Sequence, residues 1–92
     1  MRTDCVNVIL DGCRMTSREA LWDYLNEVLS LPDYFGRNLD ALFDVLTEHR
    51  APLTIKLINR EQMETALGAY GESLLETISE AAEENGYLDI QI

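Results

Sequence analysis

Two pairs of carboxylates in this chain are spaced as working groups would be. Asp40 and Asp44 lie four residues apart, as do Glu80 and Glu84, with Glu83 beside the latter. On a helix that spacing puts each pair on one face, where like charges oppose each other by roughly 0.2–0.5 kcal/mol. Paired acids can serve as general acid and base when burial drives their pKa values apart. Neither pair sits in an apolar pattern that would bury both members. His49 is the single histidine, and Ser17, Ser30, Ser73 and Ser79 fall within or at the ends of helical segments, so no hydrolytic triad is expected. Cys5, Cys13 and His49 are too few to hold zinc. No glycine loop for phosphate and no calcium loop is present. The expectation is a protein without cofactor or metal that is not an enzyme. What exposed carboxylates do well is accept charge-assisted hydrogen bonds from arginine, lysine and histidine.

The charge balance points the same way. Seventeen acidic residues face seven basic ones, for a net charge of −10. Residues 1–46 hold eight acids and four bases, and residues 47–92 hold nine and three, so the acidity is not confined to a tail. Nucleic acid and anionic membranes are disfavoured as partners, and a basic protein surface is favoured. With 92 residues, 47% of them apolar, the chain reads as one domain over 1–92 with a thin but real core. No apolar run exceeds the three residues of Val8–Leu10, and the start Met1-Arg2-Thr3-Asp4 shows no signal segment, so a cytoplasmic protein with reduced cysteines is expected.

The elements that must position these acids follow from periodicity. Cys5–Leu10 is β-branched and apolar, and Asp11-Gly12 ends it as a turn. Thr16 with Glu19 has capping-box spacing. Leu21, Leu25, Val28 and Leu29 then make a helical stripe flanked by Trp22 and Tyr24, and Pro32 follows its end. Asn38 is a good N-cap for a second helix with Leu39, Leu42, Phe43 and Leu46 on its apolar side, ending near Thr47 or Glu48. Leu53–Ile58 alternates as a strand. Asn59 caps a short helix to about Leu67, with Gln62 three residues on. Gly68 and Gly71 bracket a turn. Glu72–Glu84 is a helix with Leu74, Leu75, Ile78, Ala81 and Ala82 inward. Gly86 is expected as a left-handed cap, and Leu88–Ile92 closes as a strand. The order β-α-α-β-α-α-β requires crossovers, hence an α/β fold: a small three-stranded parallel sheet packed with four helices. Thr54, Lys56, Asp89 and Gln91 predict that one sheet face is partly wet.

Asp40 has a simple structural explanation, because an anion in the first turn suits the helix dipole. Asp44, deeper in the helix, has none. Residues Leu31–Leu46, reading L-P-D-Y-F-G-R-N-L-D-A-L-F-D-V-L, strongly resemble the signature of the barstar family, small intracellular inhibitors of microbial ribonucleases. The resemblance runs more loosely over the rest of the chain, and the family fold matches the element order above. It implies that the loop and second helix plug a ribonuclease active site. By that resemblance Asp44 takes the place of an RNA phosphate, Asp40 is a neighbouring contact, and Tyr34 packs on the catalytic region. Gly36 and Asn38 shape the turn that presents the helix, Glu80 meets a peripheral base, and Glu84 is a weaker match because Asn85 looks inserted.

Some positions depart from the family pattern. Phe43 stands where the prototype has tryptophan, His49 where it has another aromatic, and Arg37 where it has an acid. Phe43 and His49 are kept as contact residues. Ala51-Pro52 aligns with a family bond that can be cis. The expected role is a cytoplasmic ribonuclease inhibitor or immunity protein, monomeric when free. The alternative is a barstar-like acidic interaction module whose partner is not a ribonuclease.

Overall fold

Three short parallel strands carry the alternation read above: β1 (Val6–Asp11), β2 (Leu53–Ile58) and β3 (Leu88–Gln91), in the order β1-β2-β3. They come from a computed structural model that describes residues 6–29, 31 and 36–91. Cys5, the Tyr34-Phe35 aromatics and Ile92 lie outside the described residues. In register, Val8 meets Ile55 and Leu10 meets Leu57, while Ile55 also meets Ile90. This inward set joins the core, with Leu10, Ile55 and Leu88 each buried. The other face carries Asn7, Ile9, Lys56, Asp89 and Gln91, all exposed, with Thr54 half-buried. One face is therefore wet, as the polar insertions in β2 and β3 predict. It departs from the usual parallel sheet covered on both sides.

The helices α1 (Arg18–Leu29), α2 (Leu39–Glu48), α3 (Arg60–Leu67) and α4 (Ala69–Glu84) supply the rest of the core. Leu21 and Leu25 of α1, Leu42 and Leu46 of α2, Met63 of α3, and Leu74, Ile78 and Ala81 of α4 are buried together. Trp22 and Tyr24, which flank the α1 stripe by period, are buried too. The Tyr24 hydroxyl accepts the Asp11 amide (2.9 Å) and donates to the Ile9 carbonyl (3.3 Å). It thereby satisfies backbone groups on the outer edge of β1 that would otherwise invite another strand. The Trp22 indole N–H donates to the Tyr70 hydroxyl (3.1 Å), joining α1 to the start of α4.

Local signals needed correction where distant partners compete for the same groups. The α1 cap is Ser17, whose Oγ accepts the Ala20 amide (3.1 Å), one residue beyond Thr16. Asn59 holds the N-cap position of α3, its carbonyl accepting the Gln62 amide (3.2 Å), but its side chain makes no cap bond. It takes a left-handed conformation (φ 54) and its Nδ2 donates to the Asp11 carboxylate at 2.8 Å. Helix α4 begins at Ala69, so Gly71 lies inside it, buried, and the turn is Gly68 alone. Gly68 (φ 59, ψ −131) ends α3 and precedes α4 in a conformation L side chains rarely adopt. Gly86 has no positive φ, and Asn85 is the α4 cap. The Ala51–Pro52 bond is trans.

The strand β1 runs through Asp11, and Gly12–Arg14 follow as a 3-10 turn. Glycine is required at position 12, because a Cβ there would lie 2.1 Å from the Asn59 carbonyl oxygen. The Asp11 carboxylate holds this junction, accepting from Asn59 and from the Cys13 amide (2.9 Å). Those two hydrogen bonds, Asn59's foremost, hold its carboxyl below the ordinary 3.8. A depressed native pKa contributes stability above the unfolded value and loses it as pH falls through the native one. Asp11→Asn should accordingly flatten the acid limb of the stability profile, where pH falls below the ordinary carboxylate range, measured by urea unfolding from neutral to acid pH.

Candidate partner-binding face on the second helix

Helix α2 is launched by a built turn. The Asn38 Oδ1 accepts the Ala41 amide (2.8 Å), and its Nδ2 donates to the Gly36 carbonyl (3.2 Å). One side chain thus caps the helix and fixes the bend before it, as its residue type predicts. Gly36 and Asn38 are both exposed. Leu42 and Leu46 then anchor the helix, at 0% and 2% exposure. With the anchor on one side, each four-residue step rotates only about 40°, so Asp40, Asp44 and Glu48 form a single stripe on the opposite side. All three are exposed, and none makes a side-chain hydrogen bond or ion pair among the described residues.

Periodicity marked Asp40 and Asp44; it did not single out Glu48. The signal was available: Glu48 is four residues beyond Asp44 and sits in the last turn, where the helix dipole disfavours an anion. Phe43 is half-buried, packed against the core beside the stripe. His49 ends the helix. Its ring lines an apolar hollow of ≈ 190 Å³ with Val6, Val8, Leu31, Val45 and Leu53, among others. Its Nε2 is buried and has no hydrogen-bond partner among the described residues. Tyr34 lies outside the described residues.

The second acid pair is carried by α4, which packs directly on α2. Glu80 and Glu84 are exposed, while Leu74, Ile78 and Ala81 of the same helix are buried. The two helices are tied at their C-terminal ends by Asn85, a buried polar side chain at 4% exposure. Its Nδ2 donates to the carbonyls of Leu46 and His49, each at 2.8 Å, and its Oδ1 accepts the Tyr87 amide at 3.0 Å. A residue that reads as an insertion is thus the link that seats α2 on α4.

Beside Asp40 an open cleft of ≈ 600 Å³ is bounded by Arg18, Glu19, Trp22, Arg37, Asn38 and Tyr70, among others. The Arg18 guanidinium lies 4.0 Å over the Tyr70 ring, and Arg37 pairs with Asp23 at 2.8 Å. The cations near Asp40 are therefore engaged with other groups, while the acidic stripe remains available to a partner from outside.

A parallel three-stranded sheet with four helices, carrying behind an Asn-capped turn a helix whose exposed acids have no charge partner among the described residues, defines a small acidic α/β protein. The chain belongs to the barstar family: it matches the family described as "Barstar (barnase inhibitor)" over residues 5–91. It is also 49% identical over 78 residues to the Bacillus subtilis (strain 168) protein named "Putative ribonuclease inhibitor YrdF", covering 84% of this chain and 86% of that one.

Proposed function

We propose that this chain is a non-catalytic inhibitor of a basic microbial ribonuclease, acting by inserting α2 into the enzyme's active site with the Asp44 carboxylate in place of an RNA phosphate. The observation that carries this reading is Asp44 itself, a mid-helix anion, exposed and without a hydrogen-bond or charge partner among the described residues. A ribonuclease holds phosphate with cationic donors, and a carboxylate accepts the same charge-assisted bonds. Asp40 and Glu48 continue the stripe, and Glu80 and Glu84 extend negative charge across α4. The net charge of −10 would steer a basic enzyme towards this face. Gly36 and Asn38 set the angle of presentation, and Tyr34 and Phe43 supply aromatic contact.

Family membership and the relative's printed name support the same reading. A cytoplasmic setting, in which the inhibitor acts as an immunity protein, belongs to the same reading. Among the described residues no helix is long and apolar enough to cross a membrane. The test is titration of the wild-type protein against a panel of basic microbial ribonucleases. Stoichiometric loss of RNA cleavage by one of them is expected. Failure across the panel, together with capture of an acid-binding partner that has no nuclease activity, would favour an interaction module instead.

A further inference from the structure

We infer that Asp23, on α1 and outside the contact stripe, is a positioning residue for partner binding: its ion pair with Arg37 pins the turn that launches α2 and cancels a cation on the rim of the acidic face. This rests on the reading of α2 as the contact helix.

Three observations carry it. Arg37 is held at φ 54, a left-handed conformation unusual for a side chain with a Cβ. It stands between Gly36 and Asn38, where the Asn38 side chain defines the bend by donating to the Gly36 carbonyl and accepting the Ala41 amide. Its Nη2 lies 2.8 Å from the Asp23 Oδ1, fourteen residues back on a different element. A strained residue persists where its surroundings hold it, and here the hold runs to α1. The charge consequence is separate. Arg37 and Asp40 border the same cleft. Left uncompensated, the guanidinium would repel a basic enzyme beside the acids meant to attract it. Paired with Asp23 it adds little net field.

The pair is exposed, with side chains at 45% and 68%, so its effects are measurable but modest. Amide exchange at Gly36–Ala41 in the free protein should quicken about two- to fivefold in both Asp23→Asn and Arg37→Gln, and no further in the double variant. Association with the inhibited ribonuclease should move in opposite directions: slower for Asp23→Asn, which frees the cation, and faster for Arg37→Gln, which removes it. A merely structural role would shift both the same way. Unchanged exchange in both single variants overturns the pin, and equal slowing of association overturns the charge cancellation. If the wild-type protein inhibits no ribonuclease, the proposed function fails, while the exchange result still decides the pin.

Discussion

Asp44→Ala is expected to weaken binding to a cognate basic ribonuclease by about 3–5 kcal/mol, the cost of leaving a buried cationic site without its counter-charge. That corresponds to between two and nearly four powers of ten in Kd, taken up largely by faster dissociation. The free protein should hardly notice. Asp44 is exposed and its side chain bonds to nothing among the described residues, so its replacement should leave unfolding within about 0.5 kcal/mol of wild type. This separation makes the variant informative, since a loss of inhibition cannot be blamed on a loss of fold. Asp40→Ala is expected to cost less. Asp40 occupies the first turn, beside a cleft open to solvent, where a charge contact is screened. Binding by surface plasmon resonance and unfolding in urea, run on the same preparations, check both halves.

The largest effect on stability is expected at Asn85. Replacing it with alanine removes the donor shared by the Leu46 and His49 carbonyls and the acceptor of the Tyr87 amide. The Leu46 carbonyl keeps the His49 amide (3.4 Å) and the His49 carbonyl keeps the Arg50 guanidinium (3.3 Å), so among the described residues the Tyr87 amide is the group left without a partner. Three lost hydrogen bonds at roughly 0.5–1.5 kcal/mol net each place the total at about 2–4 kcal/mol. A chain of this size should lose about 10 °C or more in Tm. Asn85→Asp keeps the shape but presents acceptors to two acceptors, and should be no better at neutral pH. Because Asn85 seats the C-terminal end of α2 on α4, its loss should also loosen Glu48 and Asp44 relative to Glu80 and Glu84. Thermal unfolding by circular dichroism measures the first effect.

The contrast between these two residues explains what the sequence disclosed. Asp44 was legible because its neighbours declare a helix: Asn38 caps it, Leu42 and Leu46 repeat at helical spacing, and the acids fall on the remaining side. The strands were legible for the same local reason, period-two alternation in Leu53–Ile58 and Leu88–Gln91. Asn85 was not legible, because its partners lie 36 and 39 residues away and no local pattern encodes them. Asn59 failed similarly. Its sequence position is that of a cap, but the Asp11 carboxylate, 48 residues distant, takes its amide group. Gly71 read as a turn because glycine is scarce inside helices. In the fold it is buried, with Leu67 and Met63 atoms 3.4 Å from where a Cβ would stand. Arg37 read as a reversed charge on the rim. Only the structure discloses that Asp23 neutralises it.

On the proposed mechanism, Asp44 and an RNA phosphate compete for one pocket. Titrating a mononucleotide into the ribonuclease–inhibitor complex tests this most directly. Mutually exclusive binding is predicted, with the inhibitor's apparent Kd rising in proportion to nucleotide concentration and with that rise relieved in Asp44→Ala. A stable ternary complex, with nucleotide and wild-type inhibitor bound to the enzyme together, would contradict the account.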